Sequence, residues 1–173
     1  MSHAARQNAH RLGEILLEEK LITVAQLQQA LKRQYLHGEL LSEAVVKLGY
    51  LTEEGIARVI ARHMGCPYLD ASRYDIPSDA LRLIPVDVAV ECQILPLDRI
   101  GRTLLLACAT LLPAEVVRAI EGRTKLRVFL CVATTAQILG AIKRNGSRLL
   151  ETIRHDFETQ THAGPGGAGA VKA

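Results

Sequence analysis

Residues Arg11 to Gln34, RLGEILLEEKLITVAQLQQALKRQ, decide the fold because the segment from Leu40 to His63 repeats their apolar pattern. The two segments align at an offset of twenty-nine residues, which places aliphatic residues over one another along the whole length. Four aligned pairs are identical, namely Leu12/Leu41, Glu14/Glu43, Thr23/Thr52 and Arg33/Arg62. A pattern that recurs at fixed spacing indicates a structural repeat, in which each unit buries its apolar face against its neighbour.

Each copy of this repeat predicts two short helices with a break between them. In the first copy the chain breaks near Lys20, and Thr23 with Gln26 three residues later forms a capping box for the second helix. In the second copy Gly49 suits the left-handed residue after a helix, and Thr52 caps the helix that follows. We therefore expect four helices arranged as two αα pairs.

The chain after Met64 predicts strands as well as helices. Gln93–Leu97 and Thr103–Ala109 are apolar runs joined by Asp98–Gly101, and this short connection favours a β-hairpin. The run Val86–Glu91, VDVAVE, alternates like a strand but is short, so strand and helix both remain open there.

Further along, Pro113 opens a helix that we expect to end at Gly122. A third strand over Lys125–Cys131 follows, and Thr134 starts a helix that runs to about Arg144. Mixed strands and helices after an all-helical start predict an α+β fold: a four-helix tandem repeat followed by a small α/β lobe of about three strands.

These elements divide the chain into four parts. Residues 1–10 form a polar lead-in, residues 11–64 the helical repeat lobe and residues 65–145 the α/β lobe. Residues 146–173 form an amphipathic segment and a flexible Gly-rich tail. One helical face of that segment carries an apolar stripe, which we expect to pack on the body of the protein or on a partner: Leu149, Leu150, Ile153 and Phe157.

The composition argues against several functional classes. A net charge of +3, without Lys/Arg runs interleaved with aromatics, disfavours polynucleotide binding. No apolar N-terminal region and no long apolar stretch occurs, so we expect a cytoplasmic protein without a membrane span. Four cysteines in apolar runs lack CxxC spacing, which predicts free buried thiols and no metal site: Cys66, Cys92, Cys108 and Cys131.

Catalytic motifs are also missing from the sequence. There is no G-x-x-x-x-G-K-[ST] phosphate loop, and no Ser/His/Asp or Cys/His set can be assembled from the spacing. We therefore expect a protein that is not an enzyme, has no resident cofactor and acts by binding.

The chain resembles the MshEN domain, the N-terminal domain of type II secretion and type IV pilus assembly ATPases. The resemblance covers about Arg11 to Arg144 and rests on the RLG motif of the repeat, on CPYLD after the fourth helix and on the QILPLDRIGRTLLLACA hairpin. In that family the two copies of the repeat together bind cyclic di-GMP. The resemblance makes cyclic di-GMP the candidate ligand and a protein of a secretion, pilus or motility machine the candidate partner.

The motif positions give the candidate ligand site. The first copy departs from the family pattern only at Lys20, where the family has Gly, whereas the second copy has Leu40 for Arg, Ser42 for Gly and His63 for Gln. Thr110–Pro113 replaces the Asp-Pro turn that usually follows the hairpin. The implied ligand-binding residues are Arg11, Leu12, Gly13, Leu16, Leu27, Leu31 and Gln34 in the first copy, and Leu41, Ser42, Val45, Ile56, Ile60 and His63 in the second.

The chemical groups of cyclic di-GMP indicate how these departures affect binding. Aliphatic side chains can lie against a guanine face, a guanidinium can meet a phosphate, and Gly lets backbone donors approach. Arg11, Gly13 and Gln34 keep this chemistry, and the second copy lacks the Arg and the Gly. We therefore expect weak or one-sided binding of the nucleotide.

The same residues also have structural interpretations. Arg11 and Gln34 fit exposed polar positions at helix ends, and the stripe formed by Leu27, Leu31, Ile56 and Ile60 fits a core as well as a pocket floor. Two functions stay open: a regulatory module that senses a nucleotide, or a docking module that has lost the ligand and kept the fold for protein contacts. Titration with cyclic di-GMP separates them.

Overall fold

The structure, a computed structural model, describes residues 3–145. Within this range it contains eight α-helices and three strands, so the predicted α+β fold is confirmed. The amphipathic segment and tail predicted for residues 146–173, including the stripe from Leu149 to Phe157, lie outside the described residues.

Four helices form the repeat. The predicted polar lead-in is not a separate segment, since the first helix already begins at His3. Its sequence, HAARQNAH, contains no Gly or Pro, so nothing stops the helix from extending toward the N-terminus. The helices are α1 (His3–Glu18), α2 (Val24–His37), α3 (Leu41–Lys47) and α4 (Glu53–Met64).

The predicted caps are present in both copies. The backbone N of Gln26 donates to Thr23 Oγ1 at 3.2 Å, and the backbone N of Thr23 donates to Gln26 Oε1 at 2.8 Å. In the second copy, Thr52 Oγ1 accepts from the backbone N of Gly55 at 3.0 Å. These bonds fix where the second helix of each pair begins, because they satisfy backbone donors that the first helical turn leaves free.

The breaks between the helices are equivalent in conformation but not in residue type. Lys20 adopts φ 55° and the aligned Gly49 adopts φ 71°, so both lie in the left-handed region. Glycine reaches this region without steric cost, whereas a residue with a Cβ is strained there by about 1–2 kcal/mol. The first copy therefore keeps the turn at a conformational cost that the second copy avoids.

The second half of the chain contains a short 3-10 turn and the remaining helices and strands. The run VDVAVE, for which the sequence left both strand and helix possible, is a helix (α6) flanked by Pro85 and Cys92. The bounds are a turn over Ala71–Arg73, α5 (Ser78–Leu81), α6 (Val86–Glu91), β1 (Ile94–Ile100), β2 (Thr103–Cys108), α7 (Ala114–Thr124), β3 (Arg127–Val132) and α8 (Thr135–Arg144).

Two predicted boundaries are wrong. The hairpin connection is shorter than predicted, because β1 continues to Ile100 and its last residues pair with β2 up to Thr103. The helix predicted to end at Gly122 continues to Thr124 and is capped by Lys125, which adopts φ 58°. A helix can pass through Gly at a cost of about 1 kcal/mol, so one glycine does not by itself end a helix.

The three strands form one sheet in the order β1-β2-β3. The β1 and β2 strands are antiparallel, and β2 and β3 are parallel with α7 as the crossover helix. Tyr68 extends the sheet by a parallel bridge to Val132, and the backbone N of Leu69 donates to the carbonyl O of Val132 at 2.8 Å. The exit from α4 is thereby attached to the edge of the sheet.

Buried apolar residues form two clusters on opposite faces of this sheet. One face, including Leu104, Leu106 and Val132, belongs to the same cluster as Leu16 and Ile60 of the helical repeat. The other face packs against α5 and α8. The core is therefore continuous across the boundary predicted at residues 64/65, and the repeat covers one side of the sheet as a layer.

Polar contacts also connect α4 with the start of α8. The backbone N of Ala136 donates to Glu53 Oε2 at 3.3 Å, and Gln137 Nε2 donates to the hydroxyl of Tyr68 at 3.2 Å. The guanidinium of Arg58 lies 4.7 Å from the centroid of the Tyr68 ring. A carboxylate near the N-terminus of a helix is favourable, so these contacts orient the repeat on the sheet. Among residues 3–145, no helix has the length and apolar content needed to cross a bilayer.

Candidate functional site

The two copies meet at a polar contact between motif positions. Arg11 begins the motif of the first copy, and its Nη2 lies 3.5 Å from Nε2 of His63, which ends the motif of the second copy. Both side chains are exposed. Because an arginine only donates, the bond requires the neutral imidazole with a free lone pair on Nε2. This contact joins motif positions of the two copies, whereas the sequence predicted that Arg11 would act with residues of its own copy.

Gln34 ends the motif of the first copy and is buried, with 7% of its surface exposed. Its side-chain Nε2 has no hydrogen-bond partner among the residues that the structure describes. A buried amide donor without a partner costs about 1–3 kcal/mol, so this group is chemically free to bind an acceptor. The interpretation of Gln34 as an exposed polar residue at a helix end is wrong.

Gly13 has a packing function in this structure. A Cβ at this position would lie 3.2 Å from Cδ1 of Leu27 and 3.6 Å from Cδ2 of Leu41. The missing side chain therefore lets α1 approach α2 and α3 closely. The sequence argument assigned Gly13 to approach of a ligand by the backbone, but the space above it is filled by leucine side chains.

The aliphatic motif positions divide between core and surface. Leu31 is 41% exposed and Leu27 is partly buried, so the first copy leaves its α2 positions open to solvent. The other aliphatic positions are buried in the core: Leu12, Leu16, Leu41, Val45, Ile56 and Ile60. The aliphatic stripe that fitted a core as well as a pocket floor is divided in the structure. Ile56 and Ile60 are core residues, and Ile60 also lines a cleft. Leu31 lies at the surface.

That cleft lies where the repeat meets the sheet lobe and has a volume of about 230 Å³. It opens beside the motif positions of the second copy and beside the connection that follows β2. The repeat contributes Ala9, Leu12, Leu40, Leu41, Ser42 and Ile60, and the sheet lobe contributes residues 90–93, residues 109–113 and Val116.

The lining of the cleft is mostly apolar and carries little charge. Glu91 is the one charged residue among the described lining residues, and neither Lys nor Arg lines the cleft. Burial raises the pKa of the Cys92 thiol, and the nearby Glu91 carboxylate raises it further, so this thiol stays neutral. The cleft therefore suits an uncharged ring or an aliphatic group better than a phosphate.

Gln93 is a lining residue that the sequence analysis missed. It adopts φ 49° just before β1, and its carbonyl O accepts from the backbone N of Ala109 at 3.1 Å. Its side-chain Oε1 lies 3.5 Å from Oγ1 of Thr135. A strained conformation beside a cleft often accompanies function, but no sequence pattern marks Gln93. The departure at Thr110–Pro113 was the one signal that pointed to this side of the cleft.

A cluster of three charged residues connects the spacer with the two copies, and in it Glu39 is buried while Arg33 and Lys47 are partly exposed. The carboxylate of Glu39 accepts from Lys47 Nζ at 2.5 Å and lies 2.5 Å from Arg33 Nε. The hydrogen bond from Lys47 lowers the pKa of Glu39 below its ordinary value, and the positive charge of Arg33 lowers it further against the opposing effect of burial. The aligned Arg62 instead bonds to Glu19 at the end of α1. These pairs fix the spacer and join the two copies.

The cysteines and histidines do not assemble into a metal site within residues 3–145, since no three His, Cys, Asp or Glu side chains are suitably grouped there. All four cysteines are free thiols. Burial raises the pKa of Cys108 and of Cys131 to about 12, so both remain protonated. Cys66 and Cys92 are only partly buried, which is less than the apolar runs around them predicted.

Comparison with known proteins shows the family of this chain. The sequence model of the MshEN domain matches residues 64–152, just over half of the chain. The type IV pilus assembly ATPase PilB of Myxococcus xanthus is 30% identical over 134 residues, which cover 78% of this chain and 24% of that protein. The chain spans a quarter or less of the length of the curated PilB relatives that it matches.

Two solved structures share the fold. A structure of MshE with cdg (cyclic di-GMP) superposes with a TM-score of 0.60 at 29% identity and covers 77% of this chain and 96% of that one. The N-terminal domain of XpsE superposes with a TM-score of 0.59 at 21% identity and covers 83% of this chain and 97% of that one, which supports the fold alone. Both superpositions include nearly the whole of the compared chain.

Proposed function

We propose, from the premise that this chain belongs to the MshEN domain family, that it is a non-catalytic regulatory module whose ligand is cyclic di-GMP. The arrangement of Arg11 beside His63 carries the proposal, because it places a guanidinium where the motifs of the two copies meet. The solved structure of MshE with cdg supports the choice of ligand. A cyclic dinucleotide suits such a site, since a guanidinium binds a phosphate by charge-assisted hydrogen bonds.

Binding should be weak, and it should depend on Arg11. The second motif offers Leu40 and Ser42, and both line the cleft that lacks a cation. One lost charge-assisted hydrogen bond costs roughly 1.5–3 kcal/mol, which weakens an affinity by about tenfold to a hundredfold. The unpaired amide of Gln34 can supply one further donor, although it must first become accessible to the ligand.

Calorimetric titration with cyclic di-GMP tests this function. We expect a dissociation constant in the micromolar range or weaker for the wild type, and loss of measurable heat for Arg11→Ala. Arg118→Ala is the matched control, because Arg118 is an exposed arginine on α7 that pairs only with Glu115. Tight binding that Arg11→Ala leaves unchanged would contradict the proposal.

Restoring the second motif gives the converse test. Ser42→Gly with His63→Gln replaces two departures by the family residues, and adding Leu40→Arg supplies the missing guanidinium. We expect the affinity to rise at each step. If this triple variant is folded and still produces no heat of binding, the chain is not a nucleotide sensor.

The proposal includes the absence of catalysis. The sequence has no phosphate loop, and the match to the PilB ATPase of Myxococcus xanthus covers 24% of that protein. Purified protein should release no phosphate from ATP above a buffer blank. ATP hydrolysis that co-purifies with the protein would refute this part of the proposal.

A second function, docking without a nucleotide, is favoured by a specific observation. The second helix of the first copy leaves large apolar side chains in solvent, including Val24, Leu31 and Tyr35. Exposed apolar patches of this kind are typical of interaction sites. Under this alternative the partner is a protein of a secretion, pilus or motility machine, and the wild type gives no heat with cyclic di-GMP.

A further inference from the structure

The outer face of α2 is apolar, and among residues 3–145 nothing covers it. Val24, Leu31 and Tyr35 stand at i, i+7 and i+11, so they lie along one side of the helix. Val24 is 61% exposed and Tyr35 is 87% exposed. We call these three residues the α2 outer face. On a neighbouring side of α2, Ala30 and Gln34 are buried in the repeat, whereas Val24 and Tyr35 lie mostly in solvent.

The segment that carries this face contains no acidic residue. From Lys20 to His37 the sequence contains no Asp or Glu. Lys20 precedes the helix, Lys32 lies within it and His37 ends it, and all three are exposed. Arg33, the remaining basic residue of α2, is already paired with the buried Glu39. A partner that covers the α2 outer face therefore meets lysines and no carboxylate of this segment.

From this combination we propose that the α2 outer face docks an amphipathic helix of another protein, with an apolar stripe flanked by Asp and Glu. Helices recognise one another through apolar residues at i, i+3, i+4 and i+7, and complementary charge at the rim selects the partner. A second copy of this chain fits less well, because it would place Lys32 near like charge. An anionic membrane fits less well too, since such binding relies on clusters of about four to eight Lys or Arg.

The docking surface is separate from the proposed nucleotide site. Neither Val24 nor Tyr35 is a motif position, and neither lines the cleft. Only Leu31 belongs to both sets of residues. The proposal therefore survives or fails independently of cyclic di-GMP binding, provided that the test uses Val24 and Tyr35.

Fluorescence anisotropy with two labelled synthetic helices tests the proposal on the purified full chain. Both peptides carry the same leucine stripe, one with Glu and the other with Lys at the flanking positions. We expect the Glu peptide to bind with micromolar affinity and the Lys peptide at least about tenfold more weakly. Raising the salt concentration should reduce this difference, since rim charges are screened. Equal binding of the two peptides, or no binding of the Glu peptide, would overturn the proposal.

Three variants locate the binding. Val24→Glu with Tyr35→Glu should abolish binding of the Glu peptide, and Lys32→Glu should invert the preference between the peptides. Ile100→Glu is the control, because Ile100 is 65% exposed on β1 and lies outside this face. The thermal midpoint and the heat with cyclic di-GMP should stay unchanged in all of them. Undiminished peptide binding by the double variant would refute the docking site.

The alternative occupants have their own readouts. If the wild type dimerises at micromolar concentration and Tyr35→Glu is monomeric, then a second copy covers the face and the proposal is wrong. It is equally wrong if the wild type sediments with vesicles that contain phosphatidylserine and Tyr35→Glu does not. The proposal is supported if the wild type is monomeric, does not bind such vesicles and binds the Glu peptide.

Discussion

In the first copy of the repeat, α2 leaves Leu31 41% exposed, whereas α4 of the second copy buries the aligned Ile60 to 1%. The two residues occupy the same position in the same pattern, and both copies have the same capping Thr. The difference is the neighbour: α4 packs between the rest of the repeat and the β3 side of the sheet. A duplicated pattern thus specifies a helix pair, and its position in the fold decides whether an apolar position becomes core or surface.

The largest expected effect comes from truncating these aligned residues. Ile60→Ala should lower the free energy of unfolding by roughly 2–5 kcal/mol, because it leaves a cavity in a packed core. Leu31→Ala should change it by less than about 0.5–1 kcal/mol, since solvent already reaches this side chain. Urea denaturation followed by circular dichroism measures both. Equal losses of unfolding free energy in the two variants would mean that Leu31 and Ile60 are equally buried.

The next effect concerns the ligand chemistry of the two copies. Leu40→Arg places in the second copy the guanidinium that Arg11 supplies in the first, at a residue that lines the cleft. Affinity for cyclic di-GMP should rise by about tenfold to a hundredfold, corresponding to roughly 1.5–3 kcal/mol for one charge-assisted bond. Leu40→Met is the control, because it keeps the length and adds no charge. A gain with Met as large as that with Arg would show that packing, not charge, limits binding.

A smaller effect is expected at the breaks between the helices. Lys20→Gly should stabilise the protein by about 0.5–1 kcal/mol, since relief of the left-handed strain exceeds the extra freedom that Gly gives the unfolded chain. Gly49→Ala should destabilise it by about 1 kcal/mol for the reverse reason. Thermal unfolding of both variants checks the opposite signs. Destabilisation by Lys20→Gly would indicate a favourable contact of the lysine that outweighs the strain.

The smallest expected effect concerns how the spacer that separates the copies makes stability depend on pH. The folded-state pKa of Glu39 lies below its ordinary value of 4.5, so its contribution to stability is present above about pH 4.5 and is lost as the pH falls through the folded-state pKa. Glu39→Gln should therefore weaken the decline of the urea midpoint in acid. Glu115→Gln, at an exposed pair on α7, is the control. An unchanged acid profile in Glu39→Gln would contradict this assignment.

Much of the site follows from the sequence, but its assembly does not. The motif alignment identified Arg11 and His63 as site positions, yet it paired each with its own copy, because alignment orders residues along the chain and not across an interface. The contact between them depends on how α1 lies against the end of α4. Gln93 and the other sheet-lobe residues of the cleft were missed for the same reason, since they approach the repeat only after the two halves of the chain pack together.

The repeat, the caps at Thr23 and Thr52 and the three strands follow from the sequence, because periodicity, capping and turn chemistry act over a few residues. The resemblance of the motifs to those of the MshEN domain indicated the family, which the family model and the PilB relative then showed. Only the tertiary structure decided that Gly13 accommodates Leu27 and Leu41 and that Gln34 is buried without a partner. It alone decided, too, that one copy faces solvent where the other meets the sheet. Burial and pairing depend on residues far apart in the chain, and a local pattern contains no information about which of its apolar residues a distant element will cover.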